Sequence, residues 1–341
     1  MKRNRFFGVV ILLLVIILAA CSESTSKEEK GKSKEETFLI KAGHAASEDH
    51  FAQASFEHFK ELVETNSKGK IKMEIHPNGA LGGEREMLEQ LLLDELTMMA
   101  PASAPLDAVA KGIAMWDLPY LFKDNETAHR VLDGEVGQEV LDSMSDKGII
   151  GLIYWENGFR HLTNNKYPVT SVQEMEGMNM RTLENPMQIK TWSLMGANAT
   201  PIAFTELYAA LDQKVVDAQE TPLSLMYAQK FQEVQKYLTL TGHTYSPWPV
   251  VINKKFFDGL PEDLQKIVMD AAVETRDFNR QLSKEDEEKS LELLKEEGME
   301  VTELTDEQKQ EFKEATNAIY EDVRKEVGAE LFDKLMKEVS M

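Results

Sequence analysis

The seven histidines, His44, His50, His58, His76, His129, His161 and His243, form no HExxH or other compact pair that could hold a catalytic metal. No GxSxG elbow is present, and carboxylates are so abundant that no acid/base pair stands out among them. Gly31-Lys32-Ser33 resembles the end of a phosphate-binding loop, but Ser26 stands where that loop needs Gly, and the flank is polar. The chemistry that does stand out is cationic. Arg160 lies in Gly158-Phe159-Arg160, directly after the apolar run Ile149–Trp155, and Arg181 ends the run Met178–Met180. Ligands of open α/β sheets bind at the carboxyl ends of strands, where a guanidinium can grip a carboxylate through two parallel hydrogen bonds. Taken alone, each arginine fits a structural salt bridge as well as a ligand clamp. Of the four Trp, Trp155 and Trp192 are the candidates for a ligand wall, with the 17 Met read as core filling.

Short apolar runs alternate with amphipathic segments, which predicts an α/β fold. Phe38–Ala42 and Ile71–Ile75 read as strands around a helix carrying Phe56, Phe59, Leu62 and Val63 on one face. Pro77-Asn78-Gly79 makes a turn, and Gly82-Gly83 opens a helix from Glu84 to about Leu93; with Glu84 and Glu86 at its start, the glycine pair reads as a plain turn and not an anion cradle. Ile149–Trp155 is apolar enough for a central strand. Ser171 to Glu174 is a capping box, and Gly177 ends the short helix it starts. Short strands follow at Met178–Arg181 and Ala199–Ile202 with a helix between them, then a helix over Thr205–Leu211 and a strand over Pro249–Ile252. Pro261 begins a helical, charge-rich stretch to about Glu297, and a second capping box, Thr305 to Gln308, starts a further helix through Phe312 and Ile319.

The 341 residues suggest two domains, and 42% hydrophobic with 28% charged residues fits a globular chain. Fifty-nine acidic residues against 38 basic ones give a net charge of −21, which argues against nucleic-acid binding. Lys2, Arg3 and Arg5 precede the apolar run Phe6–Ala20, too short to span a bilayer and matched to a secretory signal. It ends Leu18-Ala19-Ala20-Cys21, which resembles a bacterial lipobox, and Cys21 is the only cysteine of the chain. Residues 1–20 are therefore expected to be a lipoprotein signal peptide and Cys21 the lipid-bearing residue, holding the protein at the extracytoplasmic face of a cell membrane. Loss of three basic residues from 38 leaves 35 against 59, or −24. Residues 21–36 read as a charged, solvated tether.

Several spaced motifs occur in one order: Trp155-Glu-Asn-Gly-Phe-Arg160, Met178-Asn-Met-Arg181, Gly196 through Thr200-Pro201-Ile-Ala-Phe204 to Leu211, and Asp217-Ala-Gln-Glu-Thr221-Pro222. With Leu118-Pro119-Tyr120 and Leu260-Pro261 they resemble the solute-binding proteins of tripartite ATP-independent periplasmic (TRAP) transporters, from about residue 38 to 330. The resemblance implies a two-lobed clamshell with crossing hinge strands and a long lobe-spanning helix. The lobes are expected at 37–157 with 246–285, and at 158–245 with 286–341. It further implies a carboxylate-bearing solute, sugar acid or dicarboxylate, delivered to a membrane permease by a monomer without enzymatic activity, cofactor or metal. In that family the arginine matching Arg181 makes the main salt bridge, the one matching Arg160 assists, and the aromatic matching Phe204 packs on the ligand. Thr221 replaces a common Asn, and Pro101–Pro105 is mostly small and apolar where some members place a polar contact. Thr221 together with Asn185, Gln188 and Glu220 favours a hydroxyl-bearing sugar acid. An exported enzyme acting on organic acids, or the sensing subunit of a signalling receptor, are the alternative readings.

Overall fold

The computed structural model describes residues 37–341, so the expected signal peptide, Cys21 and the tether lie outside the described residues. The chain opens with β1 (Phe38–Gly43), α1 (Phe51–Asn66), β2 (Ile71–His76), α2 (Glu84–Leu92) and β3 (Met98–Met99). Two 3₁₀ turns lead to α3 (Asn125–Leu132), α4 (Glu135–Asp142) and the long β4 (Ile149–Asn164). Next come β5 (Asn179–Thr182), α5 (Pro186–Leu194), β6 (Asn198–Pro201), α6 (Phe204–Asp212), β7 (Ala218–Thr221), α7 (Leu223–Ala228) and a second long strand, β8 (Tyr237–Asn253). The rest is nearly all helical: α8 (Lys254–Asp258), α9 (Glu262–Glu296), β9 (Glu300–Glu303), α10 (Asp306–Thr316), α11 (Ala318–Val327) and α12 (Ala329–Val339).

All strands join one sheet in the order β2-β1-β3-β8-β4-β7-β5-β6, with β9 also on β8. β4 and β8 are antiparallel to each other from Ile149↔Asn253 to Asn164↔Tyr237 and belong to both halves of the sheet. The end of β8 pairs with β3 and its start with β9, while the end of β4 pairs with β7. These are the crossing strands of a two-lobed periplasmic-binding-protein fold. The apolar runs at Ile149–Trp155 and Pro249–Ile252 cover only the first-lobe part of each. In the remainder Glu156, Asn157, Arg160, Thr163, Thr241 and His243 are buried polar residues, which a search for apolar runs passes over.

Period-two alternation splits the first lobe into two cores. Met98, Val250 and Ile252 face one core with Phe56, Phe59 and Val63 of α1, whereas Met99 and Val251 face the other with Trp116 and Leu132. The second lobe likewise has one core around Met180, Trp192 and Phe312 and one around Leu207, Leu238 and Met299. The C-terminal helices divide between the lobes. Phe312 of α10 packs in the second lobe, but Ile319 and Val323 of α11 and Leu331 and Leu335 of α12 bury in the first-lobe core, so the chain after Asn317 returns to the first lobe.

α9 is the long helix. Pro261 caps it from extended backbone and does not enter its first turn. Leu264, Val268, Ala271, Thr275, Asn279 and Ser283 recur every three or four residues along its buried stripe, which rests on α1, β4 and α7. Asn279 pins that contact: its Oδ1 accepts the Glu156 N–H at 2.6 Å, and its Nδ2 donates to Ser55 Oγ at 3.1 Å. Among the described residues no helix is long and apolar enough to cross a membrane.

Candidate functional site

Both arginines are buried in the second-lobe half of the sheet, and their surroundings differ. Arg160 is 3% exposed and fully engaged. Its Nε donates to Glu220 Oε2, its Nη2 to Glu220 Oε1 at 2.9 Å and to the Glu220 carbonyl at 2.8 Å, and its Nη1 to Ser246 Oγ at 3.5 Å. Glu220, on the adjacent strand β7, also meets His243 Nε2 at 3.2 Å. Burial by itself raises the Glu220 carboxyl, but the Arg160 charge and the hydrogen bonds from His243 and Arg160 outweigh it and pull the pKa down to about 2.

Arg181, on β5, is 0% exposed. Its Nε donates to the Ile202 carbonyl at 2.9 Å, which fixes the plane of the guanidinium, and its Cζ stands 5.9 Å from the centre of the Phe204 ring. Nη1 and Nη2 have no hydrogen-bond partner. Burial, with the Arg160 charge beside it, pushes its pKa down to about 10 against the pull of Glu220 and Glu84, so it stays a cation at neutral pH. A buried, oriented cation with two open donors is poised for an anionic acceptor.

The cavity between the lobes has a volume of about 460 Å³, part of it open to solvent. It lies where β1, β3, β5 and β7 end, so its wall carries His44, Ala100, Leu183 and Thr221 from just beyond or at those carboxyl ends. Arg160 and Phe204 line it, and Arg181 sits behind Phe204. The lips meet closely. Arg85 Nε of α2 lies 3.9 Å from Glu184 Oε1, and a Cβ placed on Gly79 would come within 2.4 Å of Thr205 Cγ2.

The remaining expected residues serve other ends. Glu220 stands behind Arg160 and is consumed by it. Asn185 caps α5, its Oδ1 accepting from the Met187 and Gln188 N–H groups at 2.7 and 3.3 Å. Ser103 of the small apolar segment turns inward to Asp117, at 2.8 Å. Trp155 and Trp192 are core residues stacked edge-on against Phe56 and His243, and the tryptophan on the cavity wall is Trp248.

His44, Glu84 and Asn157 are wall residues that sequence reasoning missed. Asn157 had a signal: Gly158 follows closely on the apolar run Ile149–Trp155, and the structure has a bulge there, with Gly158 at φ +116° and Asn157 left over between Glu156↔Pro247 and Gly158↔Ser246. Asn157 Nδ2 donates to Ser246 Oγ at 3.3 Å, while its buried Oδ1 has no partner. His44 stacks on Phe56 at 4.9 Å, and burial lowers its pKa below the usual histidine value. Glu84 Oε1 accepts the Ala102 N–H at 3.0 Å, a tertiary contact without local sequence signature. Among the described residues no cluster of three or more His, Cys, Asp or Glu could hold a metal ion.

A family model described as bacterial extracellular solute-binding protein, family 7, matches residues 42–326. The chain belongs to this family. It is a solute-binding protein of the TRAP class. It is 35% identical over 253 residues to the 2,3-diketo-L-gulonate-binding periplasmic protein YiaO of Escherichia coli K12, covering 74% of this chain and 77% of that one. It is 36% identical over 260 residues to the C4-dicarboxylate-binding periplasmic protein DctP of Rhodobacter capsulatus, covering 76% and 78%. The crystal structure of the sugar acid binding protein DctPAm of Advenella mimigardefordensis with galactonate superposes with a TM-score of 0.87 at 34% identity, over 89% of this chain and 98% of that one.

Proposed function

We propose that this protein captures a carboxylate-bearing solute through Arg181 and delivers it to a TRAP membrane permease, tethered to the membrane by lipid on Cys21. The observation that carries the reading is the pair of unpartnered Nη donors on a fully buried guanidinium beside the cleft. Keeping such a group dry without an anion is costly, so solute entry and lobe closure reinforce one another. When the lobes part and Phe204 moves aside, the carboxylate reaches Nη1 and Nη2; Arg160, neutralised by Glu220, serves as a rigid wall and secondary donor. Thr221 offers its single hydroxyl at the rim of the same strand end. The lobes divide at the strand irregularities near Gly158, so that 37–157 with 246–285 moves against 158–245 with 286–316, and the C-terminal helices travel with the first lobe. Binding is the activity this reading assigns, in keeping with the solute-binding family whose model the chain matches.

A thermal-shift panel of aldonates, uronates, keto acids and dicarboxylates against the matching neutral sugars tests this. A solute at 100 times its dissociation constant stabilises by about 2.7 kcal/mol, so the cognate acid raises the melting temperature by several degrees. Acids raising it while neutral sugars leave it unchanged is the expected result; a response to neutral sugars alone contradicts the reading.

A further inference from the structure

Three carboxyl groups crowd the two arginines. Glu220 holds Arg160 with both oxygens, Asp117 is buried within electrostatic reach of Arg160, and Glu84 stands on the cavity wall, where burial raises its carboxyl while the Ala102 N–H and the Arg181 and Arg160 charges favour its ionised form. The Ala102 N–H holds Glu84 Oε1 in place, and Glu84 begins α2 of the first lobe while Arg181 is on β5 of the second. Glu84 thus stands on the same cavity wall as Arg160, near enough to Arg181 for their charges to act on one another.

A solute with one carboxylate satisfies Arg181. A second carboxylate meets Glu84 in a site where the other guanidinium is already neutralised by Glu220. Like charges in a partly desolvated cleft repel strongly, whereas a solute hydroxyl donates to a carboxylate in a charge-assisted hydrogen bond. Building on the carboxylate-capture reading above, we propose that Glu84 is a specificity residue that selects polyhydroxy monocarboxylates, accepting a hydroxyl and turning away a second carboxylate.

Galactonate and galactarate form a matched probe pair, alike in carbon count and hydroxyls except that galactarate carries a carboxylate where galactonate has its terminal hydroxymethyl. Calorimetry on the wild-type protein should show galactonate binding at least about tenfold tighter than galactarate, and Glu84→Gln should narrow that ratio by about tenfold. Equal or tighter binding of galactarate, no measurable binding of galactonate, or an unchanged ratio in Glu84→Gln overturns the proposal. Should Glu84→Gln fold poorly, Glu84→Asp, which keeps the charge and withdraws it by one methylene, is expected to narrow the ratio less, and the wild-type ratio alone still decides. Arg181→Ala separates the two layers of the argument. Dependence of both acids on Arg181 with the dianion preferred removes only the role of Glu84; binding of both acids independent of Arg181 removes the carboxylate-capture reading itself.

Discussion

Glu220 makes the difference between the two arginines. With both its oxygens and its carbonyl on Arg160, that side chain is a fixture of the wall, and only Arg181 keeps donors open. Arg181 was legible in the sequence as a cation near a strand end, whereas Arg160, expected just past a strand, lies within β4, which runs on to Asn164; which of them is free was not legible, because the answer depends on a carboxylate 60 residues away that tertiary pairing of β4 and β7 brings alongside. Titration at this scale is set by burial. His50 and His161 are enclosed, and desolvation, aided by neighbouring His44 for the first and by His243 and Lys309 for the second, drives each pKa down to about 3. In the unfolded chain each histidine takes up a proton near pH 6.5, so its contribution to stability is whole above that pH and is lost as pH falls toward 3. Asp117 and Glu287, whose carboxyls burial raises to about 6 and about 7, act in the opposite sense. A difference measurement isolates one group: by urea unfolding, the stability gap between wild type and His161→Gln should shrink below pH 6.5 by up to about 1.4 kcal/mol per pH unit. A gap independent of pH contradicts the burial account of His161.

The long elements hold the cleft together. β4 and β8 run through both lobes, and α9 lies along them, pinned by Asn279 to Glu156 and Ser55. The extent of α9 was readable from its apolar spacing and the Pro261 that precedes it, and so were the strands β1, β2, β5 and β6. The full length of β4 and β8 was not, because their second-lobe residues bury polar side chains that satisfy one another across strands. The second capping box illustrates another limit: it starts α10 as expected, but the helix breaks at Asn317 and α11 turns to a different core. At the lips, Gly79 combines φ +61° with contact to Thr205 across the cleft. Gly79→Ala should hold the lips apart and weaken solute binding by about tenfold, while Thr205→Ala in the same protein restores much of it. Calorimetry of the two variants checks this; unaltered affinity in Gly79→Ala, or no rescue, removes the lips from the closing contact.

At the scale of the molecule, net charge and local charge oppose one another. The chain carries −21 overall, and the positive residues of its cleft are either neutralised, as Arg160 is, or buried, as Arg181 is. The long-range field felt by an approaching anion is therefore repulsive, and salt screens it. Stopped-flow measurement should find that the association rate for an anionic solute rises between about 0.02 M and about 0.2 M salt. A rate that falls with salt would mean that a positive field steers the solute instead. The central claim, capture by a free and oriented guanidinium, is tested most directly by calorimetry of Arg181→Lys with the acid that stabilises the wild type best. The lysine keeps the charge and loses the two-pronged fork, so affinity should fall on the order of a hundredfold while the fold is retained. Unchanged affinity in Arg181→Lys and also in Arg181→Ala would contradict the account.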